Sequence, residues 1–127
     1  MERLAWVCLA GALGCGTRYL VGLWAADRFG TAFPYATLIV NLVGCFFMAF
    51  VTSLALGIAA FPPNLRLALT TGFLGGLTTY SSFNFETTRL MQDGSWTVAL
   101  LNVGLTAIGC FLAGLAGLAV GRLFVGS

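Results

Sequence analysis

The architecture of this chain turns on residues 72–83, Gly72-Phe73-Leu74-Gly75-Gly76-Leu77-Thr78-Thr79-Tyr80-Ser81-Ser82-Phe83. They lie inside a longer, largely apolar segment, Leu65 to Met91. Gly75-Gly76 is a weak helix sequence, and five hydroxyl-bearing residues follow it closely. The part before Gly75 is about ten residues, too short to cross a bilayer alone. The segment therefore reads as two half-helices joined by an unwound stretch, 75–79, at mid-membrane. Unwound backbone at that depth survives only where protein buries it or where it lines a cavity. Broken membrane helices use such freed carbonyls to hold cations. A glycine pair can instead serve close helix packing, but packing has no need of the threonines and serines.

Outward from this stretch, the rest of the chain reads as ordinary spans. The first runs from about residue 4 to 26, with Arg18 embedded, and the second from about 35 to 60, with Asn41 as its single strongly polar residue. Phe61-Pro62-Pro63-Asn64 ends the second, because prolines cannot continue a helix interior. The interrupted third covers 65–91. Asp93-Gly94 makes a turn, and the fourth span runs from about 96 to 125. The short connection makes spans three and four antiparallel neighbours. The whole of 1–127 is thus one four-helix transmembrane domain.

Composition enforces the membrane reading. Of 127 residues, 59% are hydrophobic and 8% charged, against about a quarter charged in soluble domains. Ten charges cannot cover the surface of so small a soluble monomer. Mean hydropathy is +0.97. Four helices are few to enclose a solute pathway, which points to an oligomer. The Met-Glu-Arg start resembles a signal peptide only weakly, since Glu2 offsets Arg3 and the apolar run resumes at Tyr19; it reads as the first span.

The scarce polar residues fall in patterns. Thr79, Ser82, Glu86 and Arg89 are spaced 3, 4 and 3 and form one helical stripe. Tyr80, Phe83 and Thr87 form the next. Asn41 follows Thr37 by one turn, and either bonds across helices or offers an amide donor to a polar solute. Asn102, Thr106, Gly109 and Ala113 share a face of span four, with Cys110 beside them. Gly109, Ala113, Gly117 and Gly121 continue it as a seam of small residues for close contact. Arg18, some 14 residues beyond Leu4, lies toward the far interface and has a structural role.

Absent residues exclude functions. With no His there is no His-based proton relay, no usual zinc site and no Ser-His-Asp chemistry. No set of nucleophile, base and orienter suggests an enzyme, and no basic cluster suits nucleic acid. Cys8, Cys15 and Cys45 read as small apolar fillers, with no disulfide framework. The arginines divide evenly between the two sides of a four-span topology: Arg3, Arg66 and Arg122 against Arg18, Arg28 and Arg89. Orientation follows such bias. Its absence predicts insertion both ways round and pairing of opposite copies.

At these residues the sequence resembles the Fluc (CrcB-type) fluoride channels. The matching pieces are Gly11-Ala12 through Gly16-Thr17-Arg18, Thr37-Leu38-Ile39-Val40-Asn41-Leu42-Val43-Gly44, and residues 72–83 with Glu86. The resemblance implies a dual-topology antiparallel homodimer with two pores in the bacterial inner membrane. It implies passive, fluoride-selective export that lowers toxic fluoride inside the cell. It also implies a structural Na+ at the dimer interface, held by the backbone carbonyls of Gly75 and Thr78. Tyr80 and Phe83 would be pore aromatics and Asn41 a pore donor. Thr37, Thr79, Ser82 and Glu86 would join the polar track, and Asn102, Thr106 and Cys110 its span-four side. Two departures stand out: Tyr80 where the family usually has Phe, and Cys110 where it often has Ser, a stronger donor. A small multidrug-type proton antiporter shares the four-span, dual-topology plan, but coupling needs a titratable carboxylate deep in the membrane and span one has none. A holin-like or assembly protein would need the glycine seams but not the polar content of 75–86.

Overall fold

The computed structural model describes residues 1–126, and among them every regular element is helical. The order is α1 (Glu2–Phe29), α2 (Tyr35–Gly57), α3 (Pro63–Leu67), a π-helical stretch (Ala68–Leu74), α4 (Gly75–Leu77), α5 (Tyr80–Gln92) and α6 (Trp96–Val125). Three of these, α1, α2 and α6, are long and apolar enough to cross a membrane. The chain is a multi-pass membrane protein. The remaining segment, 63–92, holds no single helix of the roughly 20 residues a crossing needs.

That segment is interrupted at two residues. Thr78 (φ −80°, ψ 154°) and Thr79 (φ −155°, ψ 119°) are extended. Gly75 is helical, at φ −63° and ψ −36°. The unwinding expected from Gly75 onward is therefore narrower, and the reason lies in packing. A Cβ on Gly76 would stand 2.4 Å from the Gly11 carbonyl oxygen, and one on Gly14 would stand 2.1 Å from that of Phe73. The two glycines let α1 and the 72–77 stretch meet backbone to backbone, which holds that stretch helical against its low propensity.

α2 and α6 make the other close pair. The small-residue seam of α6 faces α2, where a Cβ on Gly117 would lie 2.0 Å from the Phe46 carbonyl oxygen. The core is small. Val40, Leu74 and Leu77 form its buried centre, with Val21, Met48 and Phe73 packed around them. The outward faces are apolar, with Leu9, Leu13, Ile108 and Phe111 all more than 60% exposed. This is the distribution expected where lipid replaces water around the helices.

The ends of the segmented strand of chain are fixed locally. Pro63 opens α3 at its first position, where no amide donor is required. Asn64 Nδ2 donates to Glu2 Oε1 at 2.9 Å, tying the 61–64 turn to the start of α1. Gly94, at φ +79°, adopts the left-handed conformation that the turn from α5 to α6 demands.

Candidate functional site

The two extended threonines leave backbone groups that a helix would have satisfied, and side chains take them up. Asn41 on α2 donates from Nδ2 to the Thr79 carbonyl at 3.0 Å and accepts the Thr79 amide on Oδ1 at 2.8 Å. Thr79 also caps α5: its Oγ1 accepts the Ser82 amide at 3.2 Å. In a continuous helix the Thr79 and Ser82 amides would donate to the carbonyls of Gly75 and Thr78. Both amides are diverted, so these two carbonyls lose their regular partners. Thr78 sits tightly against α2, its Cγ2 occupying the space a Cβ on Gly44 would need.

Beside the break lies a cavity of about 370 Å3, lined by Cys15 and Arg18 of α1, Thr37 and Val40 of α2, and Thr79, Ser82 and Glu86. Its hydrogen bonds have a direction. Thr79 Oγ1 donates to Ser82 Oγ at 3.1 Å, which leaves the Ser82 hydroxyl proton available to the cavity. Ser81 Oγ also lies 3.2 Å from Thr79 Oγ1. Thr37 Oγ1 donates to Glu86 Oε1 at 2.8 Å. Glu86 Oε2 is buried and has no partner. Arg18 makes no ion pair among the described residues; it is half-buried, donates from a guanidinium nitrogen to Cys15 Sγ at 3.7 Å and forms part of the cavity wall. A second opening of about 500 Å3, bounded by Glu86, Arg89, Asp93 and the 30–36 turn, adjoins it at the outer end of α5.

The expected site residues thus divide into groups. Thr37, Thr79, Ser82, Glu86 and Arg18 come together around one cavity. Asn41 is buried, with both ends of its amide on the Thr79 backbone. The aromatic stripe splits: Phe83 is buried and Tyr80 is 78% exposed, with ring centroids 5.5 Å apart. Asn102 is 1% exposed and donates to Thr87 Oγ1 at 2.9 Å, and Thr87 donates to the Phe83 carbonyl at 2.7 Å. These two bonds anchor α5 on α6 directly behind Phe83. Thr106 Oγ1 is buried without a partner. Cys110 lines a different, largely apolar groove with Thr78 and Cys45. The α6 residues do not reach the cavity within one chain. Thr87 has a larger part than its place in the aromatic stripe indicates, and its pairing with Asn102 across a turn has no local sequence signal.

The arrangement offers a small solute neutral hydroxyl donors beside an interrupted helix, inside a protein otherwise faced with apolar side chains. Comparison with known proteins agrees in family. A family model described as CrcB-like protein, Camphor Resistance (CrcB), matches residues 5–118. A protein of Citrifermentans bemidjiense named "Fluoride-specific ion channel FluC" is 46% identical over 122 residues, 96% of this chain and 98% of the relative. Proteins of the same name from Geobacter sp. strain M21 and Sorangium cellulosum are 47% and 45% identical, over 96% and 98% of this chain. With a family match across most of its length and relatives this similar over nearly all of theirs, the chain belongs to the CrcB family.

Proposed function

We propose that this chain is a fluoride-selective channel of the bacterial inner membrane, letting fluoride leave the cytoplasm passively. The observation that carries this reading is the likeness, over nearly the whole chain, to relatives each named a fluoride-specific ion channel. The chemistry of the cavity supports it. Fluoride is small and strongly hydrated, so a pathway must replace its water with hydrogen-bond donors. Fixed cations would hold it too tightly, and conduction needs binding weak enough to release. The Ser82 hydroxyl in the cavity is a neutral donor of the right kind, and the second Asn41 amide hydrogen and the positive ring edges of Tyr80 and Phe83, outside the cavity wall, add neutral donors beside the break.

The third span is the segmented 63–92 stretch, with its break at Thr78–Thr79 in the middle of the membrane, giving four spans in all. Two copies assemble as an antiparallel dimer. The even arginine split supports insertion in both orientations. The exposed Tyr80 ring and Cys110, neither of them in the cavity of its own chain, are then faces through which one copy completes the pathway of the other. The carbonyls of Gly75 and Thr78, robbed of their helical donors, fit a hard monovalent cation. Na+ held there would offset the loss of those backbone hydrogen bonds.

The test is ion efflux from proteoliposomes. Fluoride should pass and chloride should be strongly rejected, with fluoride flux lower when Na+ is replaced by a bulky organic cation. Equal fluxes of the two anions would overturn the reading. Accessibility mapping of single-cysteine variants should find both orientations in one membrane; a single orientation would remove the antiparallel dimer.

A further inference from the structure

Helix α5 buries one narrow face. Its cap Thr79, and Phe83 and Thr87 within it, are buried and spaced four residues apart. Phe83 therefore stands one turn from each threonine, along about 12 Å of helix. Each threonine is held from a different helix by an asparagine. Asn41 of α2 takes both backbone groups of Thr79, at 2.8 and 3.0 Å. Asn102 of α6 donates from Nδ2 to Thr87 Oγ1 at 2.9 Å, and the Thr87 hydroxyl donates on to the Phe83 carbonyl at 2.7 Å. Thr88 is an internal comparison. Its hydroxyl also donates back along the helix, to the Asn84 carbonyl at 2.9 Å, but it is exposed and no bond from another helix reaches it among the described residues.

We propose that Asn102 and Thr87 are positioning residues for permeation: with the Asn41–Thr79 clamp they fix the rotation and height of α5, and so the place of the Phe83 ring and of the Ser82 hydroxyl at the cavity. This rests on the channel reading. One clamp at the start of a half-helix leaves it free to pivot. A second clamp two turns on, from another helix, removes that freedom. Local back-bonding by a threonine needs no partner, as Thr88 shows, so it is the Asn102 bond that ties α5 to α6. The Thr87 hydroxyl accepts from one side and donates to the other, so turning it breaks two buried bonds at once. Losing either partner leaves a buried polar group unpaired. The Arg89–Asp93 pair at the far end of α5 is exposed and supplies no comparable anchor. Asn102 thus acts on the anion through Phe83.

Proteoliposome efflux of fluoride and chloride, normalised to folded protein, tests this. Thr87→Val keeps the branched shape and removes both bonds. Fluoride flux should fall about tenfold or more, the scale on which small misplacements are felt at aligned sites, and the fluoride-to-chloride ratio should fall with it. Thr87→Ser, which keeps the hydroxyl, should restore both, and Thr88→Val should change neither. Asn102→Ala should reproduce the loss, and the double variant should be no worse than either single one, because the pair acts as a unit. Melting curves in detergent identify the folded variants, and Thr87→Ala stands in if Thr87→Val does not fold. A merely structural pair would lower the melting temperature and leave flux and ratio per folded channel at wild-type values. That result, no recovery with Thr87→Ser, an equal loss in Thr88→Val, or additive losses would overturn the proposal while leaving the channel reading intact. Wild-type protein that passes no fluoride would bring down the channel reading, and this inference with it.

Discussion

Asn41 and Thr79 exchange two hydrogen bonds, side-chain amide to backbone carbonyl at 3.0 Å and backbone amide to side-chain oxygen at 2.8 Å. An asparagine on one helix thereby serves the extended residue of another as a neighbouring strand would. The break is stable because α2 supplies both partners the missing helix turn would have supplied. Asn41 therefore supports the break itself, a structural part that stands beside the pore-donor role proposed for it.

Asn41→Asp keeps the acceptor for the Thr79 amide but sets a carboxylate oxygen against the Thr79 carbonyl. Losing that donor should cost about 1–3 kcal/mol, read as a lower melting temperature in detergent. Fluoride flux should fall as well, because a negative charge now faces the anion. Unchanged melting would show that the clamp contributes nothing.

Glu86→Gln retains an oxygen to accept from Thr37 while removing any negative charge of its own beside the cavity. At an effective dielectric of about 20, relief of a like charge some 8 Å away is on the order of 2 kcal/mol. The expected outcome is fluoride flux several-fold higher than wild type, with Glu86→Ala lower because the Thr37 hydroxyl loses its acceptor. A flux lost in Glu86→Gln would mean that the carboxyl itself is needed.

Tyr80 and Phe83 should separate function from stability. The exposed Tyr80 ring can be cut to alanine with a change of no more than about 0.5 kcal/mol, the range typical of surface sites, yet flux should drop. Phe83→Ile removes the ring edge from a buried position and should impair both, with a stability loss of about 1 kcal/mol. If Tyr80→Ala conducted normally, Tyr80 would leave the pathway.

Gly76→Ala should be the most damaging of the conservative changes. Its Cβ would stand 2.4 Å from the Gly11 carbonyl oxygen, and backbone yields little. Overpacking of this kind costs about 1–3 kcal/mol. Gly16→Ala, on the same α1 helix with open space around it, is the control and should leave the melting temperature unchanged or slightly raised. Equal effects of the two would refute the close approach.

Thr79→Val tests the cap. It keeps the shape and the extended backbone but removes the oxygen that accepts the Ser82 amide and donates to Ser82 Oγ. A lost N-cap costs about 0.5–2 kcal/mol. The freed Ser82 hydroxyl would turn inward to the backbone, so flux should fall with stability.

The sequence by itself determined the solvent, the segmented character of 63–92 and the residues worth watching. Too few charges for water, prolines at 62–63 and a glycine pair followed by hydroxyls are local signals, legible because each acts through its own backbone or its own transfer energy. The Thr79–Ser82–Glu86 stripe was equally legible, since helical spacing alone puts those residues on one face. Only tertiary structure decided where the helix gives way. Propensity places the break at the glycines; contact with α1 keeps Gly75–Leu77 helical and moves the extended residues to Thr78 and Thr79. It also turned Asn41 onto the Thr79 backbone, set Asn102 behind Phe83 through Thr87, and placed Cys45 and Cys110 along one groove. Each of these depends on a partner tens of residues distant or across a helix interface, and a buried polar group takes whichever partner the packing presents.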